Sequence, residues 1–344
     1  MALAKDKQRF HYGGQAVIEG VMMRGPKDFA VSVRTSDGEI ITKKENVESI
    51  IGRFKWLDKP FLRGTLALID SMVLGIKALK YSADIAMADA MEAEAKARSK
   101  DETLPDLVKE KANKSSINEL AVGAMMVIGL ALGLALFMLV PILIVKPLKT
   151  TLGLPSWAGA GLEGGVKIAI FVLYVAAISM MKDIRRVFQY HGAEHKTINA
   201  YEANEELTVE RVRQYTKVHV RCGTSFILVV LVTSILVFMF ISWDSIIERF
   251  LYKILLLPVV AGVAYEVIRF AGRHKNSSLA GALVWPGLLM QKITTREPEP
   301  EMIEVAIRSL QSVLESETSR NENAPVDAAG SMCREGSKDV REAS

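Results

Sequence analysis

The sequence predicts an α-helical integral membrane protein with about four transmembrane helices, a re-entrant or interfacial segment, and a small cytoplasmic α+β unit at the N-terminus. Half of the 344 residues are apolar, and the mean hydropathy of +0.21 is high for a water-soluble protein. Charged residues still make up 24% of the chain, which argues against a protein buried entirely in lipid. The apolar content excludes a disordered chain, and two distant cysteines, Cys222 and Cys333, exclude a disulfide-stapled secreted domain.

Residues 1–60 are predicted to form the small β-containing unit. Residues 30–35 alternate between apolar and polar side chains, a turn sequence follows at Ser36, Asp37 and Gly38, and residues 39–42 return, which is typical of a hairpin. The glycine-rich segment 13–26 contains neither a P-loop nor a G-x-G-x-x-G pattern, so no nucleotide site is predicted there. Residues 1–14 lack the apolar stretch of a secretory signal peptide.

Two segments follow the N-terminal unit, an amphipathic one at 61–83 and a polar one at 84–118. Residues 61–83 carry apolar side chains at helical spacing, which predicts an amphipathic helix that either packs on the N-terminal unit or lies in the membrane interface. Residues 84–118 are rich in Ala, Glu and Lys with little apolar pattern, which predicts a polar linker that is partly helical.

Four apolar runs predict a membrane domain over residues 119–293. They cover residues 120–145, 164–181, 224–243 and 254–272, and each is close to the ~20 residues that cross a hydrocarbon layer of ~30 Å. Residues 277–291 are apolar but shorter and contain Pro286, so this segment is predicted to be re-entrant or interfacial. Beyond the membrane domain, residues 294–317 form an amphipathic helix, and residues 318–344 form a polar tail that we expect to be disordered.

The distribution of charge predicts orientation and partners. The cytoplasmic loop would be residues 182–223, because this segment holds eight Lys and Arg residues whereas 146–163 and 244–253 hold two each. Both termini then also lie in the cytoplasm. Residues 1–296 carry 38 basic and 28 acidic side chains. With four apolar runs in the chain, the lipid bilayer is the expected partner of this basic part, and nucleic acid is not expected.

One short motif in the loop has the composition of a metal site. His191, Glu194 and His195 form the pattern H-x-x-E-H, which places two imidazoles one helical turn apart on one face. Such a pair can chelate one divalent metal, most often zinc, and the glutamate before the second histidine can act as general base. The alternative is that both histidines only make hydrogen bonds at the membrane interface.

Two further donors precede the third apolar run. His219 and Cys222 are three residues apart, share a face if helical, and are both acceptable zinc ligands. Four protein ligands would make a closed structural site, whereas three ligands would leave an open catalytic position. Each donor also has an ordinary alternative, a loop histidine for His219 and a small buried side chain for Cys222.

Three charged residues are candidates for supporting roles. Glu202 lies seven residues after His195 on the same helical face and could support the metal ligands. Glu266 is a carboxylate inside an apolar run, where a charge needs a partner or a function. Arg269, three residues later, can pair with it, and a structural ion pair is favoured over catalysis.

Six separated blocks resemble the YqhQ family of bacterial multi-pass membrane proteins. They are GGQAVIEGVMMRGP at 13–26, FLRGTLALIDSM at 61–72, YHGAEHKTINAYE at 190–202, HVRCGTSF at 219–226, AYEVIRFAGRH at 264–274 and TTREPE at 294–299. The resemblance implies a bacterial cell membrane location and a metal-dependent enzyme of unassigned function. It also places Glu19, Arg24 and Arg63 in recurring blocks, where they could bind substrate. Family members usually have proline where this chain has Val220, and proline would disfavour a helix through His219.

The function that these observations favour is a membrane-embedded zinc-dependent hydrolase with a cytoplasm-facing site that acts on a peptide or lipid. A non-enzymatic membrane scaffold with a structural metal site is the first alternative. A small transporter that uses Glu266 and Arg269 is the second, weakened by the absence of paired broken helices in the sequence pattern.

Overall fold

A computed structural model of the chain describes residues 12–47, 62–98, 124, 127–129, 131–133, 135–239, 241, 246–274 and 277–322. The described part is mostly helical, with one small antiparallel sheet at the N-terminus. The predicted tail beyond residue 322, most of the linker after residue 98, and the side chain of Arg63 lie outside the described residues.

The sheet is a meander of four strands, ordered β1 (Gly13–Val17), β2 (Gly20–Arg24), β3 (Asp28–Arg34) and β4 (Ile40–Asn46). The turn at 36–38 joins β3 to β4, where the alternating pattern predicted a hairpin, and Gly38 adopts a positive φ of 87°. The glycine-rich segment 13–26 supplies the other two strands, joined by a two-residue turn at Ile18 and Glu19. Neither β1 nor β2 is predicted as a strand by the sequence pattern.

Helices cover both faces of this sheet. One face packs against α1 (Leu62–Arg98), with Met22 and Val31 in contact with Leu74 and Ala78. The other face packs against α4 (Lys182–Glu202) and α9 (Pro300–Glu322), with Met23 among its buried residues. This arrangement explains why β2 and β3 are apolar on both sides, since neither face is left to solvent.

Helix α1 is longer than the segment 61–83 that periodicity indicated. It continues to Arg98 without interruption. The extension is rich in Ala, Glu and Lys, which are strong helix formers, so the polar linker is helical over its first part. Part of the apolar stripe of α1 faces outward, because Met72 and Ile76 are both more than half exposed.

In the described part of the chain, three helical segments are long and apolar enough to cross a membrane: Val127–Leu152, Ser156–Ile178 and Leu255–Arg273. The first includes a π-helical stretch, Ala135–Leu139, and α2 (Val140–Leu152); the second is α3 (Ser156–Ile178); the third belongs to α7 (Ile246–Arg273). Most of the predicted loop 146–163 is therefore helical, because α2 ends only at Gly153, which adopts a positive φ of 59°. The third predicted run, 224–243, corresponds to α6 (Gly223–Phe238), which is apolar but has only 16 residues.

The remaining elements bring the polar segments to the sheet. Helix α5 (Val209–Val212) is a single turn in the loop after α4. Helix α8 (Ser278–Thr294) contains Pro286, packs against α6, and coincides with the segment predicted to be re-entrant or interfacial. The chain then crosses α4, where the Arg296 amide donates to the Phe188 carbonyl at 2.8 Å, and enters α9. Helix α4 thus lies between the sheet and the segment that follows α8.

Candidate metal centre

The H-x-x-E-H motif lies in the middle of α4, on the buried side of the helix. The ring centroids of His191 and His195 are 4.4 Å apart, as expected for residues one turn apart on one face. His195 is only 1% exposed, whereas His191 is half-buried. The two imidazoles therefore point into the same small volume, which is the geometric requirement for shared metal binding.

Cys222 closes this volume from the neighbouring element. It is the N-cap residue of α6, and its Sγ lies 3.2 Å from His191 Nε2. One donor atom from each of His191, His195 and Cys222 lies within 4.8 Å of the other two. Ligands around a tetrahedral zinc ion are separated by about 3.4–3.6 Å, so small side-chain shifts would complete this geometry.

Backbone carbonyls orient both histidines. His191 Nδ1 lies 2.8 Å from the Thr294 carbonyl oxygen, and His195 Nδ1 lies 2.7 Å from that of Lys217. A carbonyl can only accept, so each Nδ1 carries the proton and each Nε2 keeps a lone pair for a metal. Burial lowers the pKa of His195, which keeps its imidazole neutral as a ligand requires. The residues present fit a divalent transition metal such as zinc.

Glu194 lies beside the donors and is almost completely buried. Burial raises the pKa of its carboxyl group, and the effect is partly opposed by His191, His219 and a hydrogen bond from the Gly14 backbone amide. A Cβ on Gly14 would lie 3.1 Å from Glu194 Cδ, so the carboxyl group rests against strand β1. The structure therefore places a carboxyl group of raised pKa next to the three donors.

His219 stands apart from the three donors. Its ring centroid is 5.7 Å from that of His195, and its Nε2 is 3.7 Å from a carboxylate oxygen of Glu202. Glu202 also pairs with Arg221. The segment through His219 is not helical, so the shared helical face considered for His219 and Cys222 does not exist. The two side chains approach the site from a turn and a helix cap instead.

Gln291 is a supporting residue that sequence reasoning missed. Its Oε1 accepts from the His219 amide at 2.9 Å, and its Nε2 donates to the His219 carbonyl at 2.7 Å and to Ser225 Oγ at 2.6 Å. The side chain is fully buried, so these bonds fix the backbone of the loop against α8. A lone amide near the end of an otherwise apolar helix was the available indication.

The other predicted residues lie around the site at different distances. Glu19, at the β1–β2 turn with a positive φ of 49°, accepts two hydrogen bonds from Arg186 at 2.6 and 2.5 Å and so ties the sheet to α4. Arg24 points to α1 and lies 3.5 Å from Ser71 Oγ. Glu266 and Arg269 pair with each other at 3.9 Å on α7 and are not part of the donor group.

Comparison with known proteins agrees with the family predicted from the sequence blocks. The family described as "Protein of unknown function (DUF1385)" matches residues 59–316. The chain is 34% identical over 326 residues to the "Uncharacterized protein YqhQ" of Bacillus subtilis (strain 168), covering 93% of this chain and 98% of that protein. No solved structure matches significantly. The chain therefore belongs to the YqhQ-like DUF1385 family.

Proposed function

We propose that the protein is a membrane-embedded, metal-dependent hydrolase in which His191, His195 and Cys222 hold a zinc ion and Glu194 is the general base. The observation that carries this proposal is the group of three donor atoms within 4.8 Å of one another, with a buried carboxyl group beside them. Three protein ligands leave one tetrahedral position open, which is the usual arrangement of a catalytic zinc site.

The chain's own residues supply the proton transfers. A zinc ion in this site, when bound, would provide Lewis-acid activation of water and of the substrate carbonyl. Glu194 would take a proton from the attacking water and return it to the leaving group, and its raised pKa suits a group that must hold a proton near neutral pH.

His219 has a positioning role in this proposal rather than a place among the ligands. Its Nε2 lies 3.7 Å from a carboxylate oxygen of Glu202, and Gln291 holds its backbone through both the amide and the carbonyl. Its ring centroid is 5.7 Å from that of His195, and the imidazole is close enough to Glu194 to oppose the rise in the pKa of that carboxyl group. From there it can donate a hydrogen bond to the negative charge that develops on the substrate carbonyl.

The surroundings favour a substrate bond close to the bilayer surface. Helix α4 begins four residues after the apolar helix Ser156–Ile178 ends, and Cys222 caps the apolar helix α6. The site therefore lies at the ends of apolar helices, on the side that the Lys and Arg distribution assigns to the cytoplasm. An amide or ester bond of a membrane-bound substrate would be within reach of such a site.

A structural metal site in a membrane scaffold is the second candidate. It is favoured by the deep burial of His195 and Cys222, and by His219, whose ring lies near enough to His195 to become a fourth ligand after a rotation. In this case Glu194 would be dispensable, and metal removal would unfold the loop between α4 and α6.

The two candidates predict different behaviour of Glu194→Gln. The protein, purified in detergent, is assayed for zinc by mass spectrometry and for hydrolysis of fluorescein-labelled casein and of fluorogenic phospholipid vesicles. For the enzyme we expect one zinc per chain, with activity about 10²–10⁴-fold lower and zinc retained in Glu194→Gln. His195→Ala should lose both the zinc and the activity. Glu206 is exposed, and Glu206→Gln should change neither the zinc content nor the activity. Stoichiometric zinc without hydrolysis of either probe would favour the scaffold, and no stoichiometric metal would overturn both.

A further inference from the structure

Strand β1 lies at an edge of the sheet, next to the candidate metal centre. The strand order places β2 on one side of β1, and within the described ranges no strand pairs with its other side. Residues Gly13 to Ala16 all keep part of their surface accessible, whereas β2 is buried up to Met23. An edge of this kind presents a row of backbone groups that a second extended chain can pair with.

The direction of these backbone groups follows from the hairpin. Val17 pairs with Gly20 across the two-residue turn, and successive residues of a strand direct their amide and carbonyl groups to opposite sides. Residues that flank a two-residue turn bond to each other, so Val17, Gln15 and Gly13 direct these groups to β2, whereas Gly14 and Ala16 direct theirs outward. The Gly14 carbonyl and both backbone groups of Ala16 therefore point to the open side of β1.

The residues of this edge allow close approach. Gly13 has open space where a Cβ would be, whereas a Cβ on Gly14 would overlap the Met22 carbonyl oxygen and press on Glu194. The stretch of backbone beside the carboxyl group thus carries no side chain. A chain lying along β1 would pass within reach of Glu194, because the carboxyl carbon of Glu194 lies 3.1 Å from the place of a Cβ on Gly14.

We propose that the outer edge of β1 binds an extended polypeptide, so that the substrate of this site is a peptide rather than a lipid. An outward amide and two outward carbonyls match the alternating groups of a peptide backbone, whereas a lipid acyl chain has no donors to meet them. This inference rests on the proposed hydrolase. In the reaction, water oxygen bonds to the carbonyl carbon, the C–N bond breaks, and the proton taken by Glu194 passes to the leaving amine.

Ala16→Pro removes the outward amide of β1 and leaves the bonds to β2 intact, since proline is tolerated at an outward position of an edge strand. Ala16→Val is the matched control, because it adds similar bulk and keeps the amide. The assay follows casein cleavage by full-length, zinc-loaded protein in detergent. We expect KM for casein to rise about 3–10-fold in Ala16→Pro and less than about 2-fold in Ala16→Val, with kcat and zinc content unchanged.

A second measurement needs only the wild-type protein. Hydrogen exchange at single-residue resolution should show several-fold slower exchange of the Ala16 amide when casein is added, with no change at Gln15 and Val17, which face β2. Cleavage of phospholipid but not of casein would overturn the peptide inference and leave the hydrolase standing. Casein cleavage with equal KM in both variants and unchanged exchange at Ala16 would also overturn it. Hydrolysis of neither probe would overturn the proposed function together with this inference.

Discussion

Gly192 and Arg296 meet backbone to backbone: a Cβ on Gly192 would overlap the carbonyl oxygen of Arg296. The segment after α8 therefore lies directly on α4, one residue from His191. Thr294, the last residue of α8 before this segment, has the carbonyl that accepts the hydrogen bond from His191 Nδ1. The absence of a side chain at Gly192 thus allows the close approach of the segment whose neighbouring carbonyl, that of Thr294, orients the candidate metal ligand His191.

Gly192→Ala should weaken zinc binding although it removes no ligand. The new methyl group displaces residues 294–298, the His191 hydrogen bond to Thr294 is lost, and loss of such an orienting group typically lowers metal affinity about 10–100-fold. Inside a helix, alanine is about 1 kcal/mol more favourable than glycine. If the contact with Arg296 had no effect, Gly192→Ala would therefore raise the stability of the protein and leave its zinc affinity unchanged.

The measurement for Gly192→Ala is a zinc competition titration with a chromophoric chelator. Gly165→Ala is the matched control, because Gly165 is also in a helix and a Cβ there has open space. Equal zinc affinity of Gly192→Ala and wild type would contradict the role of this contact.

Cobalt substitution should distinguish a Cys222 ligand from a His219 ligand. A thiolate bound to Co²⁺ gives a ligand-to-metal charge-transfer absorption in the near ultraviolet that imidazoles do not give. We expect this absorption in wild type and in His219→Ala, and its loss in Cys222→Ser, because the Cys222 sulfur lies among the donors and His219 pairs with Glu202. Loss of cobalt binding in His219→Ala would instead make His219 a ligand and favour the closed site.

Local spacing predicted the parts of the site that one helix supplies. The i, i+4 spacing of His191 and His195 is enough to bring their rings together once α4 forms. The approach of Cys222 depends on tertiary packing, because Cys222 caps α6 and lies 31 residues from His191 in sequence. Gln291 is 72 residues from His219 in sequence, and no local pattern specifies such a pairing.

The N-terminal unit shows a second limit of sequence reasoning. Alternation in β3 identified the β3–β4 hairpin although β3 is buried on both faces, because Val31 and Val33 occupy one face and the polar Ser32 the other. Strand β1 is short and glycine-rich and β2 is buried on both faces, so neither alternates. For that reason the sequence pattern did not predict β1, the strand whose edge lies beside Glu194.

The buried carboxyl group of Glu194 should make the metal-free protein less stable as pH rises. Its pKa is raised in the folded protein, so the stability it contributes is fully present below the ordinary glutamate pKa of about 4.3 and is lost as pH rises through the folded value. Glu194→Gln carries no such charge. We expect metal-free Glu194→Gln to melt at a higher temperature than metal-free wild type at pH 8.

The same comparison at lower pH provides the check. The difference in melting temperature between the two proteins should shrink as pH falls toward 5, when scanned in detergent with chelator present. Zinc should reverse it at pH 8, since a bound cation stabilises the nearby carboxylate. A difference that stays constant with pH would show that burial of Glu194 has no electrostatic cost.

Cysteine labelling tests the predicted orientation, on which the proposal of a cytoplasm-facing site depends. Segment 182–223 carries eight Lys and Arg residues, against two in 146–163, so Glu206 should lie inside and Ser156, at the turn between α2 and α3, outside. In a Cys333→Ser background, a membrane-impermeant maleimide applied to intact cells should label Ser156→Cys and not Glu206→Cys. Cys222 is buried, so we expect it not to react. The Cys333→Ser protein without a new cysteine is the control for labelling at Cys222. After permeabilisation both variants should react. Labelling of Glu206→Cys in intact cells would place α4 and its histidines outside, where the substrate would have to be an extracellular one.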